Sequence, residues 1–145
     1  MLVVDTNVLV YAADLDSPFH GQCRRWLEGQ RLKSEAWYAT WSIVYEFLRV
    51  ATHPRVMRTP CSVAQAWSFF RAIQAAPGFS LLEPTPRHPD LMDEVIAEMP
   101  HLAGNILHDV HTVVLMREHG IRQVVTRDAG FHRFRGIQVL DPVAN

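Results

Sequence analysis

Four carboxylates in this chain stand where chemistry would want them. Asp5 follows the apolar run Leu2-Val3-Val4 and precedes Thr6-Asn7, and Asp128 follows Gln123-Val124-Val125-Thr126-Arg127. Both positions read as the carboxyl ends of buried strands, where open parallel sheets bind ligands. Glu46 and Asp109 sit instead on predicted helices, about 40° from Val50 and about 40° from Val113 on a helical wheel, so each borders an apolar arc rather than facing solvent squarely. Alone, Asp5 could as well cap the following helix and Glu46 could pair with Arg49; acids recurring at matched positions favour one shared cleft. Several carboxylates held together cannot all stay ionised without a compensating charge. An oxygen-only set suits Mg²⁺ or Mn²⁺, which keep waters and bind through a few carboxylates plus substrate phosphates. Such an ion polarises a phosphodiester and lowers the pKa of a bound water, so the chemistry these residues suit is cleavage of nucleic acid. Asn7 and Thr126, beside the strand-end acids, and Asn105, four residues before Asp109, are placed to orient carboxylates or waters. His108 and His111 flank Asp109, but they point about 100° and about 160° away from it on the wheel, which argues against a zinc site.

The elements that must position these residues follow from periodicity and punctuation. After the first strand, Ser17 and Pro18 predict a helix to about Gln30, with Phe19, Cys23, Trp26 and Leu27 inward. A short strand over Trp37–Thr40 leads to a helix from Trp41 to about His53, stopped by Pro54. Ser62 is expected to cap a helix over Val63–Ala76 whose stripe, Val63, Ala66, Trp67, Phe70 and Ile73, suits core or a dimer surface. A third strand over Phe79–Glu83, a helix near Asp90–Glu98, and an amphipathic helix from Gly104-Asn105 to about His119, with Gly120 as its left-handed end, come next. The strand Gln123–Thr126, a turn or short helix at Gly130–Phe134 and a last strand over Ile137–Leu140 complete the pattern. Alternating strands and helices predict an α/β fold: a three-layer α/β/α sandwich around a mostly parallel sheet, in a single domain over residues 1–145.

The totals agree with that picture and narrow the partners. At 145 residues, 48% hydrophobic and 20% charged, the chain suits a globular domain with a real core. A net charge of −1 gives no general pull toward nucleic acid, so contact with RNA must come from local basic clusters. Of the 14 basic residues 13 are Arg; Arg49, Arg127 and Arg133, near the acids, are the candidate contacts to an RNA backbone. Cys23 and Cys61 are too far apart for a Cys-x-x-Cys motif and read as reduced thiols of a cytoplasmic protein. No stretch reads as a signal peptide or a membrane span.

The four acids and their flanks resemble a known family. Val3-Val4-Asp5-Thr6-Asn7-Val8-Leu9-Val10-Tyr11-Ala12, Tyr45-Glu46-Phe47-Leu48-Arg49-Val50, Gly104-Asn105 with His108-Asp109, and Thr126-Arg127-Asp128-Ala129-Gly130-Phe131 resemble, in order and over nearly the whole chain, PIN-domain nucleases of the VapC type, the toxins of toxin-antitoxin systems. The resemblance implies a compact α/β/α fold and Mg²⁺- or Mn²⁺-dependent endoribonuclease activity at single-stranded sites of structured RNA such as tRNA or rRNA. It also implies a homodimer, a cognate VapB-like antitoxin, and catalytic, metal-holding roles for Asp5, Glu46, Asp109 and Asp128. One departure stands out: many relatives carry a further acid where this chain has Gly130, which bears on how many metals bind.

Two other classes fit less well. A phosphatase of the haloacid-dehalogenase type also begins with a strand ending in Asp, but wants a second Asp where this chain has Asn7; a phospho-accepting receiver domain wants a late Lys, and the single lysine is Lys33. A non-catalytic RNA-binding PIN domain is the third alternative, and the retention of all four acids weighs against it.

Overall fold

The computed structural model describes residues 1–144. Five short strands, β1 (Leu2–Val4), β2 (Trp37–Ala39), β3 (Phe79–Leu81), β4 (Gln123–Val125) and β5 (Gln138–Leu140), form one sheet in the order β3-β2-β1-β4-β5. Every pairing is parallel, with Val3 opposite Tyr38 on one side and Val124 on the other. Parallel strands need crossovers, and helices supply them: α1 (Thr6–Ala13), α2 (His20–Arg31), α3 (Trp41–Ala51), α4 (Val63–Gln74), α5 (His88–Glu98) and α6 (Ile106–Glu118). The expected α/β class and parallel sheet are therefore observed.

The central strands are buried on both faces, with Val3, Val4 and Val124 fully covered, as continuous β-branched runs in a parallel sheet should be. Trp37 on β2 is completely buried and stacks edge-on against Phe79 (centroids 4.9 Å) and Trp26 (6.2 Å), tying α2 and β3 to the sheet. Gly78 precedes β3 because a Cβ there would overlap the Glu35 carbonyl oxygen. Gly120 follows α6 at φ 68, the left-handed end expected of it.

Local differences from the sequence expectation have identifiable causes. The second helix begins at His20 rather than Pro18: Ser17 spends its hydroxyl on the Phe19 N–H (3.1 Å) in a tight turn and caps nothing. Ser62 does cap α4, in a full capping box with Gln65, yet only Ala66, Phe70 and Ile73 of the predicted stripe are buried, while Val63 and Trp67 are exposed. The last long helix, α6, is less one-sided than expected. Val113, Val114, Leu115 and Met116 are all buried in succession, so its second half passes through the interior. Within it Glu118 is also buried, and its carboxylate accepts from the Thr85 N–H (2.7 Å) and hydroxyl (2.8 Å) and pairs with His88 Nδ1 (2.7 Å). Burial alone would raise its pKa; the hydrogen bonds from His88 and Thr85 outweigh it and hold the carboxyl below the usual Glu range.

Candidate active site

In this strand order the chain runs outward from β1 in opposite directions, to β2 and β3 on one side and to β4 and β5 on the other. The carboxyl ends of β1 and β4 therefore flank a topological switch point, the place where a parallel sheet opens a crevice. Asp5 leaves β1 there. Its N–H donates to Val125 O (3.0 Å), extending the ladder by one residue. Its carboxylate divides its work: Oδ1 accepts from the Thr6 N–H (2.8 Å) and caps α1, while Oδ2 accepts from the Thr126 hydroxyl (2.7 Å) and from Asn7 Nδ2 (3.3 Å). Cap and cleft residue are thus one side chain.

Thr126 and Asn7 make a clamp across the switch point. The fully buried Thr126 hydroxyl donates to Asp5 and accepts from Asn7 Nδ2 (3.0 Å) and the Asp128 N–H (2.9 Å); Asn7 Oδ1 accepts from the Arg127 N–H (3.2 Å). Of the three residues predicted to orient the acids, Asn7 and Thr126 are hydrogen-bonded to them. Asp128 caps the 3₁₀ turn Ala129–Arg133, accepting from the Gly130 N–H at 2.7 Å. A Cβ on Gly130 would lie 3.0 Å from that same Asp128 oxygen, so a side chain here requires Asp128 to give way.

Asp109 enters from the first turn of α6 and Glu46 from the middle of α3, and all four acids line one cleft of about 980 Å³. Burial raises the pKa of Asp5 above the usual Asp value, and Asp128 and Glu46 add to it against the hydrogen bonds from Thr126 and Thr6. Burial likewise pushes Asp109 up to about 7, reinforced by the negative charges of Asp5 and Asp128 and opposed by Arg133. Glu46 goes the other way. Both its oxygens are held by Arg49, Nη2 to Oε1 at 2.6 Å and Nε to Oε2 at 3.0 Å, and that guanidinium keeps its carboxyl below the usual range.

Among the described residues no three His, Cys, Asp or Glu side chains form a ready-made cage for an ion. The cleft instead offers a few all-oxygen donors around an open volume, and the raised pKa values of Asp5 and Asp109 mark a site short of positive charge. That donor chemistry fits a partly hydrated Mg²⁺ or Mn²⁺ and not a zinc cage. His108 does line the cleft and lowers the pKa of Glu46 slightly further, whereas His111 stands against His88 (ring centroids 5.8 Å), so the two do not converge.

Of the candidate RNA contacts, Arg49 and Arg133 line the cleft. Arg127 does not, which corrects the expectation for it. Its guanidinium lies 3.8 Å from the Phe19 ring centre and pairs with Asp141 (3.2 Å), committing the charge to packing. Asn105 lines the cleft just ahead of α6 without capping the helix. The sequence reading missed Ser42 and Tyr11, which also line the cleft. Ser42 carried a usable signal, being four residues before Glu46 on the same helical face.

The fold and cleft define a class. Residues 2–137 match the family model described as PIN domain, and the chain belongs to that family. Within it the chain is of the VapC type: it is 30% identical over 148 residues to Ribonuclease VapC37 of Mycobacterium tuberculosis, covering 99% of both chains. Two solved structures share the fold at TM-score 0.66. One is VapBC2 from Rickettsia felis bound to a DNA fragment from its promoter (14% identical, 96% of each chain covered). The other is the sarcin-ricin loop cleaving toxin VapC20 of Mycobacterium tuberculosis (16% identical, 91% of this chain and 93% of that one).

Proposed function

We propose that this chain is the endoribonuclease toxin of a toxin-antitoxin pair and that it cuts structured RNA at single-stranded sites. The observation that carries the reading is the cleft at the switch point that Asp5, Asp109 and Asp128 line together, where burial, reinforced by the charges of Asp5 and Asp128, pushes Asp109 up to about 7. Asp5, Asp109 and Asp128 would hold Mg²⁺ or Mn²⁺ there, with Glu46 completing the set in competition with Arg49. The ion supplies Lewis-acid polarisation of the scissile phosphate and a more acidic water. The chain's own part is positional. Thr126 and Asn7 fix the Asp5 carboxylate, Asp128 is held by its turn, and Arg133 faces Asp109 where a phosphate would enter. A VapB-like antitoxin as partner is supported by the VapBC2 assembly among the structural neighbours. Homodimerisation and a cytoplasmic location belong to the same reading; no helix among the described residues is long and apolar enough to cross a membrane.

The test incubates purified protein with RNA in EDTA, Mg²⁺ or Mn²⁺ beside Asp5→Asn and Asp109→Asn. Cleavage only with metal, and only by wild type, is expected. Cleavage that survives EDTA or either substitution, or none with any metal, would refute the reading.

A further inference from the structure

One face of α3 carries a continuous exposed stripe. The exposed residues of this helix are Trp41, Ser42, Tyr45 and Arg49, and every other position is buried or half-buried. Trp41, Tyr45 and Arg49 are spaced four apart, so they form one stripe along the helix, spanning about 12 Å at the helical rise. Trp41 is 39% and Tyr45 66% exposed, and their rings stand 6.3 Å apart at 53°. Trp41 is anchored from beneath by Phe70 of α4 (centroids 6.0 Å), which leaves its outer side to solvent. Ser42 and Glu46, one step round the helix, line the cleft, and Arg49 at the end of the stripe lines it too.

We infer that this stripe is a subsite for single-stranded RNA, on which unstacked bases next to the scissile phosphate lie against Tyr45 and Trp41 while Arg49 holds the backbone. The inference rests on the nuclease reading and adds a place for the substrate. Aromatic faces bind bases of any sequence, and a cation beside them tracks the phosphates. Arg49 is equipped for this even while paired. Its Nε and Nη2 serve Glu46, and Nη1 keeps both its protons for a phosphate. Position rather than composition favours RNA over a protein partner, since Trp, Tyr and Arg serve both. Arg49 and the adjoining Ser42 and Glu46 line the same cleft as Asp5, Asp109 and Asp128, so a strand with its phosphate at the acids runs directly onto the stripe.

The test measures binding of a short fluorescent single-stranded RNA in EDTA, so that no cutting interferes, beside an abasic oligomer of the same length. Tyr45 is the residue to change, because it is 66% exposed and outside the core, and circular dichroism checks the fold. Tyr45→Ala is expected to weaken binding of the base-bearing RNA about 10-fold, with the abasic oligomer unaffected and Tyr45→Phe restoring the wild-type value. Arg49→Ala should flatten the dependence of binding on salt by about one counter-ion. Equal affinity of wild type and Tyr45→Ala for the base-bearing RNA would overturn the inference, as would equal binding of both oligomers by wild type. Conversion of a dimer to a monomer by Tyr45→Ala in sedimentation would also overturn it, assigning the stripe to a second copy. Failure of the nuclease reading shows separately, as absence of metal-dependent cleavage by wild type.

Discussion

Asp109→Asn should cost the protein its activity and make its metal-free fold more stable. The folded carboxyl titrates at about 7, against 3.8 for an ordinary Asp, because it is half-buried beside Asp5 and Asp128. Between those two values the folded protein holds a proton that the unfolded chain has released, so folding stability falls as pH rises from about 4 to about 7 and stays reduced above that. A shift of roughly three units corresponds to ~4 kcal/mol at full strength. Half-exposure screens it, and ~1–2 kcal/mol is the realistic figure. Asn is nearly isosteric and cannot ionise, so it escapes that penalty. In EDTA at pH 8 the variant should melt roughly 2–8 °C above wild type. At pH 4 the two should melt together, since wild-type Asp109 is then protonated in the folded state. Saturating Mg²⁺ should reverse the order, because it binds the folded wild type more tightly than the variant. Thermal melts of both proteins at pH 4 and 8, with and without metal, make the full test. A variant no more stable than wild type at pH 8 without metal, or a gain equally large at pH 4, would refute the assignment of Asp109 to a like-charged cleft.

The clamp can be probed by Thr126→Val, which keeps the shape and removes the hydroxyl held between Asp5, Asn7 and Asp128. A loss of ~1–3 kcal/mol in urea unfolding is expected, with metal affinity down roughly 10–100-fold in titration calorimetry; unchanged metal affinity would show that Asp5 needs no such support. Gly130→Asp introduces a further acid two residues after Asp128. It should displace the Asp128 carboxylate from the Gly130 N–H and raise the number of Mn²⁺ ions bound per chain, and an unaltered stoichiometry would mean the position does not face the metal. Glu118→Ala leaves the Thr85 N–H and His88 without their buried partner, at a cost of roughly 3 kcal/mol. Because Glu118 titrates below the ordinary Glu value, its contribution is present above about pH 4 and should disappear as pH falls through its folded pKa; a variant equally destabilised at pH 7 and pH 3 in denaturant titrations would contradict this.

What could be read from the sequence depended on the range of the interaction involved. β1 and β4 are legible because their β-branched runs are buried on both faces, and the helix ends because Ser62, Pro54 and Gly120 act on backbone within a few residues of themselves. The four acids were legible because each broke a local pattern, and their convergence followed once the sheet was taken as parallel. What stayed hidden was set by partners distant in sequence. Arg127 reads as a free cation beside Asp128, and only the fold brings Phe19 and Asp141 against it. Glu118 reads as the polar end of a helix and turns out buried, since Thr85 and His88 arrive from another element. Val63 and Trp67 fit the apolar stripe of α4 by spacing, yet their exposure depends on how far the neighbouring α3 covers them.

The hydrogen bonds that join Thr126 to Asp5 and to Asn7 span 121 and 119 positions of sequence, and this has a consequence in time. A chain emerging from the ribosome presents Asp5 and Glu46 early, but β1 cannot complete its pairing until β4 follows more than a hundred residues later, the slow kind of contact in folding. Until then the carboxylates have no common cleft and Asp5 has no clamp. A nuclease centre built this way stays latent until β4 pairs with β1. In a series of arrested translation products, cleavage should therefore begin only once Asp128 has cleared the exit tunnel, and activity from shorter chains would disprove it.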